Sequence, residues 1–215
     1  MIEETISRQQ AQNFYDRIGH RYDWFEMYEG KAKACGLESL QLEPGLRILN
    51  VGVGTGKEQE QIEKHIQPGG IAFGLDISPV MLRLTQERTK SPVLCADTRH
   101  LPFTINSFER VYAAYVLDMI PFNDIHGILL EFERILMPGG RVSIITLTEG
   151  VDRGSNIIVG LWKTLYKVSP IACGGCRPLQ MEDAFKDAGF SEITKQVIVQ
   201  LGIPSEITTG QKNQN

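Results

Sequence analysis

From Arg47 onward, short continuous apolar runs alternate with segments of helical period, and that alternation confines the chain to few folds. RILNV reads as a buried strand, and KEQEQIEKHI as a helix that Pro68-Gly69-Gly70 ends. IAFGLD is the next strand, followed by a helix that Ser78 caps and Pro79 opens, running to Lys90. SPVLCAD gives a third strand and FERVYAAYV a fourth. Asn123 or Asp124 caps the helix DIHGILLEFERIL, which stops at Met137 before Pro138, and RVSIITLT is a fifth strand. The chain closes with a helix, LQMEDAFKDAGF, a strand at ITKQVIVQ and a short last strand near EITTG. Pro204 fits an edge or hairpin position there, having no N–H to give a ladder. Apolar strands separated by helices must be covered on both faces, so the expected fold is α/β: a doubly wound, mostly parallel, seven-stranded sheet.

Two segments stand outside the alternation. Residues 1–40 form a helical, aromatic-rich prefix containing NFYDRIGHRYDWFEMY. Residues 150–178 interrupt the pattern with GSNIIVGLWKTLYKVSP and IACGGCRP. At 215 residues the chain has room for one core, so residues 1–210 are read as a single domain and 211–215 as a frayed tail. A net charge of −4 supplies no clustered cationic surface for nucleic acid. No apolar run reaches the roughly 18–20 residues that span a bilayer, and the polar, acidic MIEETISRQQ is not a signal peptide. Four cysteines do not make a secreted disulfide scaffold, so a cytoplasmic protein is expected.

The strongest local signal is LNVGVGTGKEQE, where a strand enters a helix through Gly52, Gly54 and Gly56. A P-loop requires GxxxxGK[ST], but Val51 occupies the first glycine position and Glu58 follows Lys57. A dinucleotide fingerprint is GxGxxG, and the spacing here, GxGxG, is one residue short. The second strand ends at Asp76, twenty residues beyond Gly56, where a carboxylate can accept from two ribose hydroxyls or merely cap the next helix. Glycine loop and acid together point to an adenosine-containing ligand at the switch point of an open sheet.

These residues resemble the class I S-adenosylmethionine-dependent methyltransferases, most closely the ubiquinone/menaquinone biosynthesis C-methyltransferase group. The resemblance runs through YDRIGHRYD, LNVGVGTGKEQE, GLDISPVML, CADTRHLPF, FERVYAAYVLDMI and EFERILMPGGRV, in the family's order. It implies a Rossmann-like methyltransferase fold, S-adenosyl-L-methionine as cofactor, and an N-terminal helical lid. By the same resemblance Gly52 and Gly54 lie against the methionine portion, Asp76 holds the ribose, and Ile77 packs on the adenine. Asp97 and Thr98 meet the adenine's amine side, and Tyr115 lies near the methionine end. Asn50 departs from the family, which places an acid there facing the cofactor's cationic end. The insert with CGGCRP is a second departure and does not map onto the resemblance to the quinone enzymes.

Other residues admit plainer readings. Cys173-x-x-Cys176 could be a redox pair or half a zinc site, but no second ligand pair exists and a tight turn is favoured; no metal is expected. Arg177 could receive an anionic group or simply be solvated. His100 and His126 read as ordinary polar residues. Tyr15 and Tyr22, seven apart, share a helix face and suit either the lid's inner wall or core packing. Trp162 and Tyr166, beside Leu161 and Leu165, suggest an amphipathic turn lining an apolar pocket, although core packing or peripheral membrane contact would look the same. His20, Tyr22 and Asp118 are the candidates for a catalytic base. The expected acceptor is small or lipid-like and apolar, a quinone precursor or a phospholipid head group. A nicotinamide-dependent dehydrogenase and a non-catalytic adenosine-cofactor-binding module are the alternatives.

Overall fold

The computed structural model describes residues 5–214. The prefix forms α1 (Arg8–Ile18), a 3-10 segment over Gly19–Phe25 and α2 (Glu26–Ser39). Then follow β1 (Arg47–Val51), α3 (Lys57–Ile66), β2 (Ile71–Asp76), α4 (Pro79–Arg88), β3 (Val93–Cys95) and β4 (Phe108–Ala114). The rest comprises α5 (Phe122–Ile135), β5 (Leu136–Leu147), α6 (Arg153–Val168), α7 (Glu182–Asp187), β6 (Ser191–Gln200) and β7 (Ile203–Gln211). The seven strands form one sheet in the order β3-β2-β1-β4-β5-β7-β6, parallel through β5, with β7 and β6 antiparallel. This is the Rossmann-like arrangement expected.

Strand alternation divides the core in two. Leu49, Val51, Val111, Ala113 and Ile144 face one side with Ile128, Phe132 and Phe185. Ile48, Tyr112 and Ile145 face the other, under Ile62 of α3 and Leu37 and Leu40 of the α2 end. Residues 26–39 of the prefix are therefore a sheet-covering helix; only the part before them lies over the strand ends. Gly36 allows that close packing, since a Cβ there would lie 2.5 Å from Ile145 Cδ1.

Several boundaries differ from the sequence reading. Met137–Gly140 does not end a helix: β5 follows α5 directly and bulges, with Phe108 opposite Leu136 but Arg110 opposite Arg141. Neither Asn123 nor Asp124 caps α5, which starts after Pro121 without a side-chain cap, and Asp124 instead accepts from Arg99 Nη1 at 3.1 Å. β7 is longer than EITTG and internal; Pro204 sits at its start by the Leu201–Gly202 turn, where a missing N–H disturbs little. The tail is held through Asn213, because Lys212 Nζ donates to Glu133 O at 2.9 Å and Asn213 Nδ2 to Gly189 O at 3.1 Å.

Candidate functional site

Strand order reverses at β1: β2 and β3 extend to one side, β4 and β5 to the other. The connections leaving their carboxyl ends diverge and open a crevice. A cavity of about 320 Å³ occupies it, at the small end of ligand sites. Its floor comes from Gly52 and Gly54 beyond β1, Asp76 and Ile77 at β2, and Tyr115 and Val116 beyond β4. Ile6, Arg8, Ala11, Tyr15 and Tyr22 roof it.

The floor is shaped by backbone. Gly52 has φ +66°, and a Cβ there would lie 2.2 Å from Val116 Cγ2, so only glycine leaves both chains in place. Gly54 N–H donates to Asp76 Oδ2 at 3.0 Å, and Ser78 N–H to Asp76 Oδ1 at 2.9 Å. Asp76 thus ties the glycine loop to the start of α4, while the cap itself is Ser78, whose hydroxyl accepts from Met81 N–H at 3.1 Å. Burial pushes the Asp76 carboxyl up to about 6, against the lowering effect of its N–H donors. Tyr115 holds φ +54° for a non-glycine residue, with its hydroxyl bonded to Ser205 Oγ at 2.7 Å.

Beyond β3, Thr98 is buried against the cavity and its Oγ1 has no hydrogen-bond partner among the described residues. A buried hydroxyl without a partner, set in a cavity wall, suits a polar ligand atom. Asp97 is already engaged: Arg99 Nη2 donates to it at 2.9 Å, and Arg8 of the roof approaches to 3.4 Å. Burial alone would raise the Asp97 carboxyl, but Arg99 and then Arg8 hold it below its ordinary value.

Polar links pin the roof to the loops beneath it. Asp16 accepts from Ser78 Oγ, and Asp23 accepts from Thr55 Oγ1 and, at 3.0 Å, from Arg88 Nη2. Tyr15 and Tyr22 meet edge to face, with ring centres 5.9 Å apart, and Tyr15 OH donates to Met119 Sδ at 3.1 Å. Tyr22 OH donates to Glu29 Oε2 at 3.2 Å. Glu29 in turn meets buried Lys33 at 2.9 Å, and Lys33 also reaches Glu58 at 3.5 Å and lies over the Tyr22 ring. Burial disfavours the Lys33 cation, yet Glu58, Glu29 and Glu26 outweigh it and keep the ammonium charged. Burial, reinforced by Glu29, raises Tyr22 well above the usual phenol value, so it stands in the wall as a protonated donor. Glu29 and Lys33 went unnoticed in the sequence; their i,i+4 spacing was visible, but their burial under the roof was not.

Of the eleven residues read as cofactor-binding or catalytic, eight meet at the cavity: Tyr22, Gly52, Gly54, Asp76, Ile77, Asp97, Thr98 and Tyr115. Three do not. His20 is exposed on the outer side of the roof beside Leu84, Glu87 and Arg88, nearly opposite on the winding to Tyr15 and Tyr22, which face the crevice. Asn50 shares the Ile48 face of β1, and its Nδ2 donates to buried Gln59 Oε1 of α3 at 3.0 Å. Asn50→Asp should therefore bury a carboxylate against α3, where Gln59 can turn over and offer its partnerless Nε2, so stability should fall by only about 1 kcal/mol and binding of S-adenosylhomocysteine should not tighten. Melting curves and calorimetry check both halves.

Asp118 lies behind the cavity wall, fully buried, its Oδ2 accepting from Leu147 N–H at 3.2 Å and its Oδ1 without a hydrogen-bond partner among the described residues. Burial pushes its carboxyl up to about 7, despite the Leu147 N–H and the Arg177 guanidinium. From about pH 4 to 7 the folded chain keeps a proton that the unfolded chain has released, so stability falls as pH rises. Asp118→Asn removes this ionisation and should melt later than the parent at pH 8, by about 2 kcal/mol, the gap closing toward pH 5. Parallel melts across that range read the sign directly.

The 150–178 insert lines none of the cavity. Trp162 Nε1 donates to Cys176 O at 2.9 Å and Tyr166 OH to Gly175 O at 3.2 Å, so both aromatics brace the cysteine turn from behind. That turn touches the roof, with Tyr15 OH 3.4 Å from Gly174 O. Arg177 is buried and donates to Asp118 O at 3.1 Å and Ile120 O at 2.7 Å, which fixes the segment below Met119.

Residues 49–144 match a methyltransferase-domain family. The chain is similar to the ubiquinone/menaquinone biosynthesis C-methyltransferase of Burkholderia vietnamiensis, 28% identical over 158 residues covering 69% of this chain and 64% of that protein. The chain thus spans less than two thirds of the length of that relative. Among solved structures it is similar to a Haloferax volcanii methyltransferase in complex with the Trm112 activator (TM-score 0.72, 20% identity, 93% and 97% of the two chains). It is also similar to Haemonchus contortus phosphoethanolamine N-methyltransferase 2 in complex with phosphomonomethylethanolamine and S-adenosylhomocysteine (TM-score 0.72, 17% identity, 97% and 61%).

Proposed function

We propose that this chain, a class I S-adenosylmethionine-dependent methyltransferase by its fold and by the family its residues 49–144 match, methylates a small aromatic or lipid-like acceptor. The observation that carries the reading is a single crevice holding a glycine cradle, a buried carboxylate at the neighbouring strand tip and the unpartnered hydroxyl of Thr98. Gly52 and Gly54 would hold the methionine portion of S-adenosylmethionine, Asp76 the ribose hydroxyls, Ile77 a face of the adenine, and Thr98 a polar atom of its edge. That cofactor supplies a methyl group on a sulfonium, already activated for in-line displacement, so catalysis rests on positioning and exclusion of water. Tyr15, Tyr22, Met119 and Ile120 wall the remaining space, an apolar and aromatic lining suited to a planar acceptor. Tyr22, whose single hydroxyl proton goes to Glu29, stays protonated and is not the base; toward the acceptor its oxygen is left to accept a hydrogen bond. Residues 5–25 act as the lid.

One similar protein is a ubiquinone/menaquinone biosynthesis C-methyltransferase and another a phosphoethanolamine N-methyltransferase, which makes a quinone precursor and a phosphoethanolamine the first acceptors to test. S-adenosylhomocysteine should stabilise the chain against heat, by about 2.7 kcal/mol at a hundredfold excess over its Kd, whereas NAD should not. Stabilisation by NAD alone would favour the dehydrogenase. Labelled methyl should then pass from S-adenosylmethionine to a demethylated quinone precursor. Binding without transfer to any acceptor would leave a cofactor-binding module.

A further inference from the structure

Near the carboxyl edge of the sheet lies an apolar surface that no described part of the chain covers. On α6, Ile157, Leu161, Leu165 and Val168 succeed one another at four, four and three residues, a single stripe of a helix. They are 65%, 67%, 47% and 81% exposed, while Ser155, Val159 and Tyr166 on the opposite face are buried against the body. The β6–β7 turn extends the stripe: Ile158 packs on Gly202, and neighbouring Leu201 is exposed. Gln200 then joins the turn to α2, its Nε2 donating to Met27 O at 2.6 Å and its Oε1 accepting from Lys31 N–H at 2.8 Å. That places exposed Met27 alongside, with Trp24, 75% exposed, three residues before it. An apolar surface of this extent marks a contact site rather than ordinary surface scatter.

The charge on this surface selects its occupant. In a chain of net charge −4, α6 carries Arg153, Lys163 and Lys167 and no acidic residue, and Lys31 adds a further exposed cation. Glu149 pairs with Lys163 and Asp152 caps the helix, so its three cations outnumber the two adjoining acids. Pairing α6 with itself in a second copy would oppose like charges. An apolar stripe flanked by cations, with an exposed tryptophan nearby, is the composition of a helix lying in a lipid interface. We propose that α6, the β6–β7 turn and the Trp24–Met27 segment dock this chain on an anionic lipid bilayer, without spanning it. No helix among the described residues is long and apolar enough to cross one. None of these surface residues lines the cavity, although Trp24 belongs to the segment proposed as the lid.

The test is flotation of the full chain with vesicles of phosphatidylcholine plus phosphatidylglycerol, and with phosphatidylcholine alone. The chain should float with the anionic vesicles and poorly with the neutral ones. Leu161→Glu with Leu165→Glu should lower the vesicle-bound fraction about tenfold, and Lys163→Gln with Lys167→Gln should erase the preference for anionic lipid. Undiminished thermal stabilisation of each variant by S-adenosylhomocysteine shows that the fold survives. A chain that stays unbound with anionic vesicles, or a Leu161→Glu/Leu165→Glu variant that floats like the parent, overturns the proposal. So does light scattering that finds a dimer which the leucine substitutions dissociate, with no flotation, since the surface then belongs to a second copy. Flotation without stabilisation by S-adenosylhomocysteine would sink the methyltransferase reading and leave the docking surface intact.

Discussion

Asp76→Ala should weaken S-adenosylhomocysteine binding about a hundredfold. Two charge-assisted bonds to ribose hydroxyls contribute roughly 3 kcal/mol together, and each 1.4 kcal/mol is tenfold in Kd. An acid at an exposed strand tip would support little of the core, and its loss would leave folding almost untouched. The structure buries it and gives it two backbone donors, Gly54 N–H and Ser78 N–H, which alanine would strand. Removing a carboxyl whose ionisation burial opposes recovers part of that loss, so the net cost to the ligand-free fold should be about 1–2 kcal/mol at pH 7. Calorimetry and melting separate the effects, and a variant that melts early yet binds normally defeats the ribose assignment. The parent adds a check without mutation. Only the ionised carboxylate accepts from both hydroxyls, so affinity should hold above pH 7 and decline as pH falls through about 6.

What the sequence disclosed, and what it hid, follow from the range of the interactions involved. The strand and helix order, the Ser78 cap and the glycine turn arise from neighbours within a few residues, and all are present. Asp76 was recognisable because its distance from the glycine loop is measured along one βαβ unit. Asn50 does not line the cavity: alternation fixes which face of β1 it occupies but not what covers that face, and the cover is Gln59, brought there by α3. His20 lies five residues from Tyr15, roughly 140° round a helix, so the spacing that puts Tyr15 and Tyr22 on one face already sets His20 on the other. Trp162 and Tyr166 looked like pocket lining because their periodicity is that of any amphipathic helix. Their burial against the cysteine turn leaves the opposite stripe of α6 exposed.

Gly52→Ala should damage both the fold and the cofactor floor. Two independent costs coincide at that position. An alanine at φ +66° is strained by about 1–2 kcal/mol whatever surrounds it. Its Cβ would also fall 2.2 Å from Val116 Cγ2, and relieving such an overlap typically costs a further 1–3 kcal/mol. About 3 kcal/mol in total should lower Tm by roughly 6–12 °C in a chain of this size. Val116 also lines the cavity, so the relaxation moves the cofactor floor and S-adenosylhomocysteine affinity should fall at least about tenfold. The two costs can be told apart. Val116→Ala removes the colliding methyl but cannot change φ, so the double variant should recover about 1–2 kcal/mol relative to the sum of the single changes. Full recovery would mean that the backbone at 52 carries no strain, and none would mean that β1 and β4 do not bring these residues together. A Gly52→Ala chain that melts and binds like the parent would remove the cradle from the site altogether.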